Sequence, residues 1–276
     1  MSISASEVNN LRKATGAGLM DCKKALTETN GDFDAAVDFL RKRGAKIAAK
    51  RADREATEGA VIALTSADNK TGVIVLLSCE TDFVAKNDGF VAFAKEIAEV
   101  ALSEKPADIA ALKTLKVGAV ALEARLLEEV AKIGEKIDVV HYELVEGENI
   151  VPYIHAGNRM GVLVEMNNAA TDANISAGKD VAMQIAAMNP VAVDKDGVDA
   201  STVEREMKIG REQAIAEGKP ENIIDRIAEG KLQKFFKENT LLNQDFVKDS
   251  SMNVAKMLDG VEKGLTIKQF KRVQLG

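Results

Sequence analysis

Hydrophobic period changes abruptly at Gly59, and this change restricts the chain to a mixed fold. Before it, apolar residues recur at helical spacing: Val8, Leu11 and Ala14; Leu19, Cys22 and Leu26; Ala36, Val37 and Leu40. After it, Ala60 to Leu64 and Thr71 to Cys79 are rich in Val, Ile and Leu, with Ser66 to Lys70 between them. Two such runs with a polar connection predict a hairpin with a longer loop. The helical stripe returns beyond Asp88, a candidate cap, at Phe90, Phe93, Ile97 and Val100 or Ala101. A chain that switches period in this way is α+β.

Local punctuation divides the chain further. Ser4 or Ser6 can cap a first helix, and Thr15-Gly16-Ala17-Gly18 breaks it, because glycine accepts turns that a Cβ resists. A second helix starts near Leu19, Asn30-Gly31-Asp32 makes a turn, and Asp32 caps a third helix. Helices this short must stabilise one another by packing. Lys42 to Glu58, charged and alanine-rich, predicts an exposed helical linker that holds the small bundle away from the main body. Pro106 closes the Phe90 helix, and Leu122 to Val130 form another.

A second α+β unit is expected from near Ile137, with strands over Ile137–Val145, Ile150–His155 and Met160–Met166 and a helix over Asp180–Met188 ended by Pro190. Ser201 with Glu204 reads as a capping box. Val203, Met207 and Ala214, then Ile224, Ala228, Leu232 and Phe235, form thin stripes on two charged helices broken by Gly218-Lys219-Pro220. That pattern predicts a projecting antiparallel helical hairpin. Leu241-Leu242, Phe246-Val247, a helix carrying Val254, Leu258 and Val261, and a last strand at Phe270 to Val273 then rejoin the body. The expected division is residues 1–55, a helical domain with its linker; 56–140, the first half of an α+β core; and 141–276, the second half, with the hairpin at about 196–238.

Composition narrows the function. Of 276 residues, 37 are basic and 43 acidic, a formal charge of −6, which speaks against direct nucleic-acid binding. The opening residues lack a basic and apolar leader pattern, and the apolar runs are too short to cross a bilayer, so a cytoplasmic protein without membrane contact is expected. Cys22 and Cys79 sit in apolar patterns and read as reduced, partly buried thiols; with His141 and His155 they make no recognisable zinc set. Phosphate-binding loops, nucleophile elbows and H-E-x-x-H pairs do not occur. No nucleophile or orienting acid can be placed beside His155, so the chain reads as a non-enzyme without cofactor or metal.

The informative segment is Cys79-Glu80-Thr81-Asp82-Phe83-Val84-Ala85-Lys86-Asn87-Asp88, between a strand and a helix. Thr81 and Asp82 can brace a turn through side-chain to backbone hydrogen bonds. Phe83 is then either a surface wedge, with Asp82 as an acceptor for a partner's amides or basic groups, or a core residue beside an ordinary turn. The echo Asp245-Phe246-Val247 shows how little three letters specify.

Longer stretches carry a resemblance. Leu11-Arg12 with Thr15-Gly16-Ala17-Gly18-Leu19-Met20-Asp21-Cys22-Lys23-Lys24-Ala25-Leu26, and Thr81-Asp82-Phe83-Val84-Ala85-Lys86-Asn87, resemble the two signatures of the bacterial elongation factor Ts family. So do Ile133-Gly134-Glu135-Lys136-Ile137, His155 with Arg159 to Val164, and Glu229 to Leu232 with Lys234-Phe235. The resemblance implies a ubiquitin-associated-like helical domain, a two-part α+β core, and an inserted helical hairpin that serves as a dimerisation arm. It implies guanine-nucleotide exchange on elongation factor Tu, bound both with GDP and without nucleotide. Thr81, Asp82, Phe83 and Val84 would then form the segment that disturbs the partner's magnesium and phosphate site, the Mg²⁺ being the partner's. Arg12, Leu19, Met20 and His155 would be further partner contacts. Many family members carry proline at the position of Asp245, and some continue past the point corresponding to Gly276 into a C-terminal helix that also touches the partner. The competing reading from residues alone is a protein-binding or chaperone-like module for a GTPase without exchange activity, in which Phe83 lies in its own core. A metabolic enzyme with a pocket near His155 is a further alternative.

Overall fold

The computed structural model describes residues 3–276. Three helices open the chain: α1 (Ala5–Thr15), α2 (Leu19–Glu28) and α3 (Phe33–Lys50). Ser4 and Glu7 form a reciprocal capping box on α1, and Asp32 caps α3 through the Ala35 amide at 2.9 Å. Val8, Leu11, Cys22, Ala25, Leu26, Ala36 and Leu40 fill the bundle core. Two positions expected there are not: Ala14 is exposed, and Leu19, the first residue of α2, is 49% exposed beside Met20.

The linker expectation is also corrected. The charged stretch after Lys42 continues α3 to Lys50 and lies against the main body. Its partner is α7 (Leu122–Ile133), which follows β1 (Glu58–Thr65), β2 (Thr71–Cys79), α4 (Asp82–Ala85), α5 (Asp88–Glu104), α6 (Ile109–Thr114) and the short pair β3 (Lys116–Val117) and β4 (Val120–Ala121). Gly44 is buried where a Cβ would collide with the Leu127 carbonyl oxygen and lie 3.1 Å from Ala131 Cβ. A glycine facing an alanine lets two helices approach closely, and Arg41 Nε to Glu128 Oε1 at 2.8 Å fixes their rim. Residues chosen for close helix packing thus resemble an exposed linker when read by charge alone.

Beyond α7 come β5 (Asp138–Glu146), β6 (Asn149–His155), β7 (Met160–Met166), α8 (Asp172–Met188), α9 (Ala200–Ala216), α10 (Glu221–Asn239), β8 (Asp245–Phe246), β9 (Asp249–Asn253), α11 (Val254–Val261) and β10 (Ile267–Gln274). Two antiparallel sheets, ordered β1-β2-β5 and β10-β7-β6, pack face to face over Val61, Ile74, Leu76, Val145, Ile150, Leu163 and Val273. Helix α5 covers the outer face of the first sheet and α8 that of the second. Residues of β2 therefore alternate between two apolar layers, Val73, Val75 and Leu77 toward α5 and Ile74 and Leu76 toward the other sheet. Burial on both faces explains its unbroken apolar run. The architecture is α+β, built from helices and small antiparallel sheets.

Strand β5, expected to open a second unit, pairs with β2 from Thr71↔Glu146 to Ser78↔Asp138 and so completes the first sheet. Several helix starts also move. Asn87, not Asp88, caps α5 through the Gly89 amide at 2.9 Å. Thr171 starts α8 well before Asp180. Asp199, not Ser201, caps α9, accepting the Thr202 amide at 2.9 Å and both neighbouring hydroxyls. A carboxylate with three donors in reach outcompetes a serine two residues further on. On α11, Val261 is 41% exposed rather than in the core.

Helices α9 and α10 pack mainly on each other. Gly210 lies against Ala228, and Ala214 and Leu232 complete a narrow buried seam. Arg211 to Asp225 at 2.7 Å and Lys231 to Gln213 at 2.7 Å cross the hairpin. Ile209 and Ile215 remain exposed. No helix among the described residues is long and apolar enough to cross a membrane.

Candidate functional site

The segment between β2 and α5 folds as one helical turn, α4. Thr81 is its cap, with extended backbone and a long contact of 3.5 Å from the Val84 amide to its hydroxyl. Asp82 lies in the first turn, where the helix dipole favours a carboxylate, and Lys86 donates to its Oδ2 at 2.7 Å. That hydrogen bond, one turn along, holds the Asp82 carboxyl below its ordinary pKa. Val84 and Ala85 rest partly buried on the core under the first sheet. Phe83 points away from it and is 84% exposed. Among the described residues, no other large hydrophobic side chain is as exposed.

What anchors the turn comes from elsewhere in the chain. Gly134 ends α7 in the left-handed conformation, φ 83°, and the next residue, Glu135, reaches back. Its Oε2 accepts the amides of Glu80 and Thr81 at 3.0 Å each, and its Oε1 accepts the Thr81 hydroxyl at 2.7 Å. Glu80 answers by accepting the Lys136 amide at 2.7 Å. Its two oxygens also accept from Arg51 Nη1, just past α3, at 2.6 and 2.7 Å, and Arg54 adds a contact at 3.2 Å. Burial pushes the Glu80 carboxyl up, but the Arg51 hydrogen bond, the Lys136 amide and the Arg51 charge outweigh it and hold it below its usual value. Lys136 Nζ donates in turn to the Ala52 and Arg54 carbonyls. Nothing in the local pattern of Gly134-Glu135-Lys136 points to this role, because its partners lie more than fifty residues away.

Both thiols are free and buried. Cys79 lies under the turn, its Sγ 3.3 Å from the Thr81 carbonyl. Burial, reinforced by the charge of Glu135, pushes that thiol up to about 12. No group of three or more His, Cys, Asp and Glu side chains able to hold a metal occurs among the described residues.

The other candidate residues fall in two places. Arg12, Leu19 and Met20 come together on one shallow groove between α1 and α2, with Val8 and Lys23. His155 is at the exposed end of β6, where the Tyr153 hydroxyl and His155 Nδ1 are 3.1 Å apart. The turn after it returns through Arg159, which pairs with Glu58. Glu58 faces Cys79 in the β1–β2 register, so this turn and α4 flank the same end of the first sheet. The echo Asp245-Phe246-Val247 behaves differently: Phe246 is 6% exposed and packs in the core beneath α8.

Known proteins match this sequence along its whole length. A family model described as Elongation factor TS matches residues 80–276. Elongation factor Ts of Amoebophilus asiaticus is 53% identical over 276 residues, covering 100% of each chain. Elongation factor Ts of Cytophaga hutchinsonii is 50% identical over 274 residues, and that of Christiangramia forsetii 48% over 274 residues, each pairing covering 99% of both chains. With a family model spanning most of the chain and relatives this similar from end to end, the chain belongs to the elongation factor Ts family and is not an enzyme.

Proposed function

We propose that this chain is a guanine-nucleotide exchange factor that binds GDP-bound elongation factor Tu and promotes GDP release, so that GTP can enter during translation elongation. The observation that carries the reading is Phe83, 84% exposed on a turn fixed at its base. Phe83 acts as a wedge at the partner's magnesium and phosphate pocket, and Asp82 is its polar companion. Nucleotide and exchange factor then oppose each other's binding, a reciprocal coupling between two sites on the partner. Residues 1–55 present Arg12, Leu19 and Met20 to the partner's nucleotide-binding domain, and His155 adds a contact from the second half of the core. The competing reading, a binding module without exchange activity, needs Phe83 in its own core, and nothing favours it.

The test is release of labelled GDP from purified elongation factor Tu. The protein should accelerate release, and Asp82→Ala should cut the acceleration by about tenfold, the loss of one hydrogen bond to a charged group. No acceleration by the wild-type protein sinks the reading; full acceleration by Asp82→Ala removes Asp82 from it.

The α9–α10 hairpin supplies a second contact, to another copy of this chain, supported by the outward Ile209 and Ile215. Sedimentation velocity should show a dimer that Ile215→Lys converts to monomer. A wild-type protein that stays monomeric at every concentration removes this contact.

A further inference from the structure

We propose that Glu135 is a positioning residue for exchange: it sets the direction in which Phe83 leaves the surface, and through Glu80 and Arg51 it ties that direction to the helical bundle. The inference rests on the exchange reading above.

Helix α4 is a single turn with none of its side chains fully buried. One turn of helix is not stable by itself, since nucleation costs more than its hydrogen bonds return. Its direction must therefore be set from outside, and five contacts bear on it, of which the Cys79 thiol on the Thr81 carbonyl at 3.3 Å comes from a weak donor. Packing of Val84 and Ala85 on the core is apolar and non-directional. The Thr81 cap is long at 3.5 Å and correspondingly weak. The Asp82–Lys86 pair is exposed and moves with the turn, so it cannot orient the turn against the body. Glu135 alone brings three directional bonds to a charged acceptor, all to the two residues that precede α4.

The reciprocal bond from the Lys136 amide to Glu80 makes this a two-way clasp across 56 residues. Arg51, on both Glu80 oxygens, and Lys136 Nζ, on the Ala52 and Arg54 carbonyls, extend the clasp to the chain leaving α3. The helical bundle and the wedge are thus held to the same pair of carboxylates. A ring held at a fixed angle loses little freedom when it enters its target, whereas a swinging ring reaches the productive position rarely.

Glu135→Gln keeps the shape but removes the charge and one of the two acceptor oxygens, so whichever way the amide turns, part of the clasp is lost. GDP release is measured against factor concentration, with wild-type protein alongside, and amide hydrogen exchange follows Glu80 and Thr81. The expected result is a maximal release rate lowered by about tenfold, with the half-saturating concentration within about twofold of wild type. Melting temperature falls by no more than a few degrees, and exchange of the two amides quickens. A purely structural role would instead raise the half-saturating concentration together with a larger fall in melting temperature, and that pattern overturns the proposal. So does an unchanged maximal rate while the two amides lose protection. Should Glu135→Gln fail to fold, Thr81→Val removes the hydroxyl's bond to the carboxylate, together with the long 3.5 Å cap, while leaving the carboxylate and its two amide bonds in place, and the maximal rate should fall about threefold; no fall overturns the proposal. Failure of the wild-type protein to accelerate release is a separate result, which removes the exchange reading and the role of Glu135 with it.

Discussion

Phe83→Ala is expected to cut the acceleration of GDP release by on the order of a hundredfold while leaving thermal unfolding unchanged. Truncating an aromatic anchor at the centre of an interface costs about 2–4 kcal/mol, and each ~1.4 kcal/mol is a factor of ten. The ring is 84% exposed in the free protein, so its removal opens no cavity, and surface changes of this kind stay within about 0.5 kcal/mol. Because the wedge acts as nucleotide leaves, the loss should fall on the maximal release rate more than on the half-saturating concentration. Phe246→Ala serves as the contrast. That ring is buried under α8, so its truncation should destabilise the fold by about 3–5 kcal/mol and lower exchange only by reducing the folded fraction. Stopped-flow release with labelled GDP, paired with melting curves, separates the two. A Phe83→Ala protein that releases GDP at the wild-type maximal rate would reject the wedge.

Gly44→Val is expected to loosen the helical bundle from the core. A Cβ at this position meets the Leu127 carbonyl oxygen and lies 3.1 Å from Ala131 Cβ. The obstacle is backbone, which cannot turn aside as a flexible side chain can, so α3 must shift away from α7. Overpacking of this kind costs about 1–3 kcal/mol, which in a chain of this size lowers the melting temperature by roughly 2–8 °C. Gly230 is the control, because a Cβ there meets nothing within 4 Å. Gly230→Val should shift stability by less than about 0.5 kcal/mol. In the release assay Gly44→Val should raise the half-saturating concentration and spare the maximal rate, the opposite split from Phe83→Ala. Limited proteolysis over residues 51–57 should quicken as well. An unchanged melting temperature and cleavage rate would show that α3 and α7 do not depend on this close approach.

Much of this protein is legible from local residues. Asp32 at a cap, glycines between α1 and α2, β-branched runs on either side of Ser66–Lys70, and the Phe90-Phe93-Ile97 stripe each act within a few residues, and the elements form where they point. The hairpin break at Gly218-Lys219-Pro220 is of the same kind. A helix start shifts by a residue or two where neighbouring polar residues compete for one cap, as Asp199 does with Ser201. Family resemblance through the segment from Thr81 to Asn87 was legible too, since it rests on letters alone.

Burial is a different matter, because it depends on which distant surface a face meets. Gly44 and Ala131 are ordinary residues until α3 and α7 lie together. Strand β5 has the same alternation whichever sheet receives it, and only pairing with β2 assigns it to the first. Glu80 and Glu135 become a clasp because the end of α7 returns to the end of β2, a meeting that no short-range pattern encodes. The sequence by itself placed a turn at Thr81-Asp82-Phe83-Val84 and wrote Asp-Phe-Val a second time at Asp245. Tertiary structure decided that Phe246 is sealed beneath α8 while Phe83 stands clear of its core, because one ring has a helix packed over it and the other has only a braced single turn behind it.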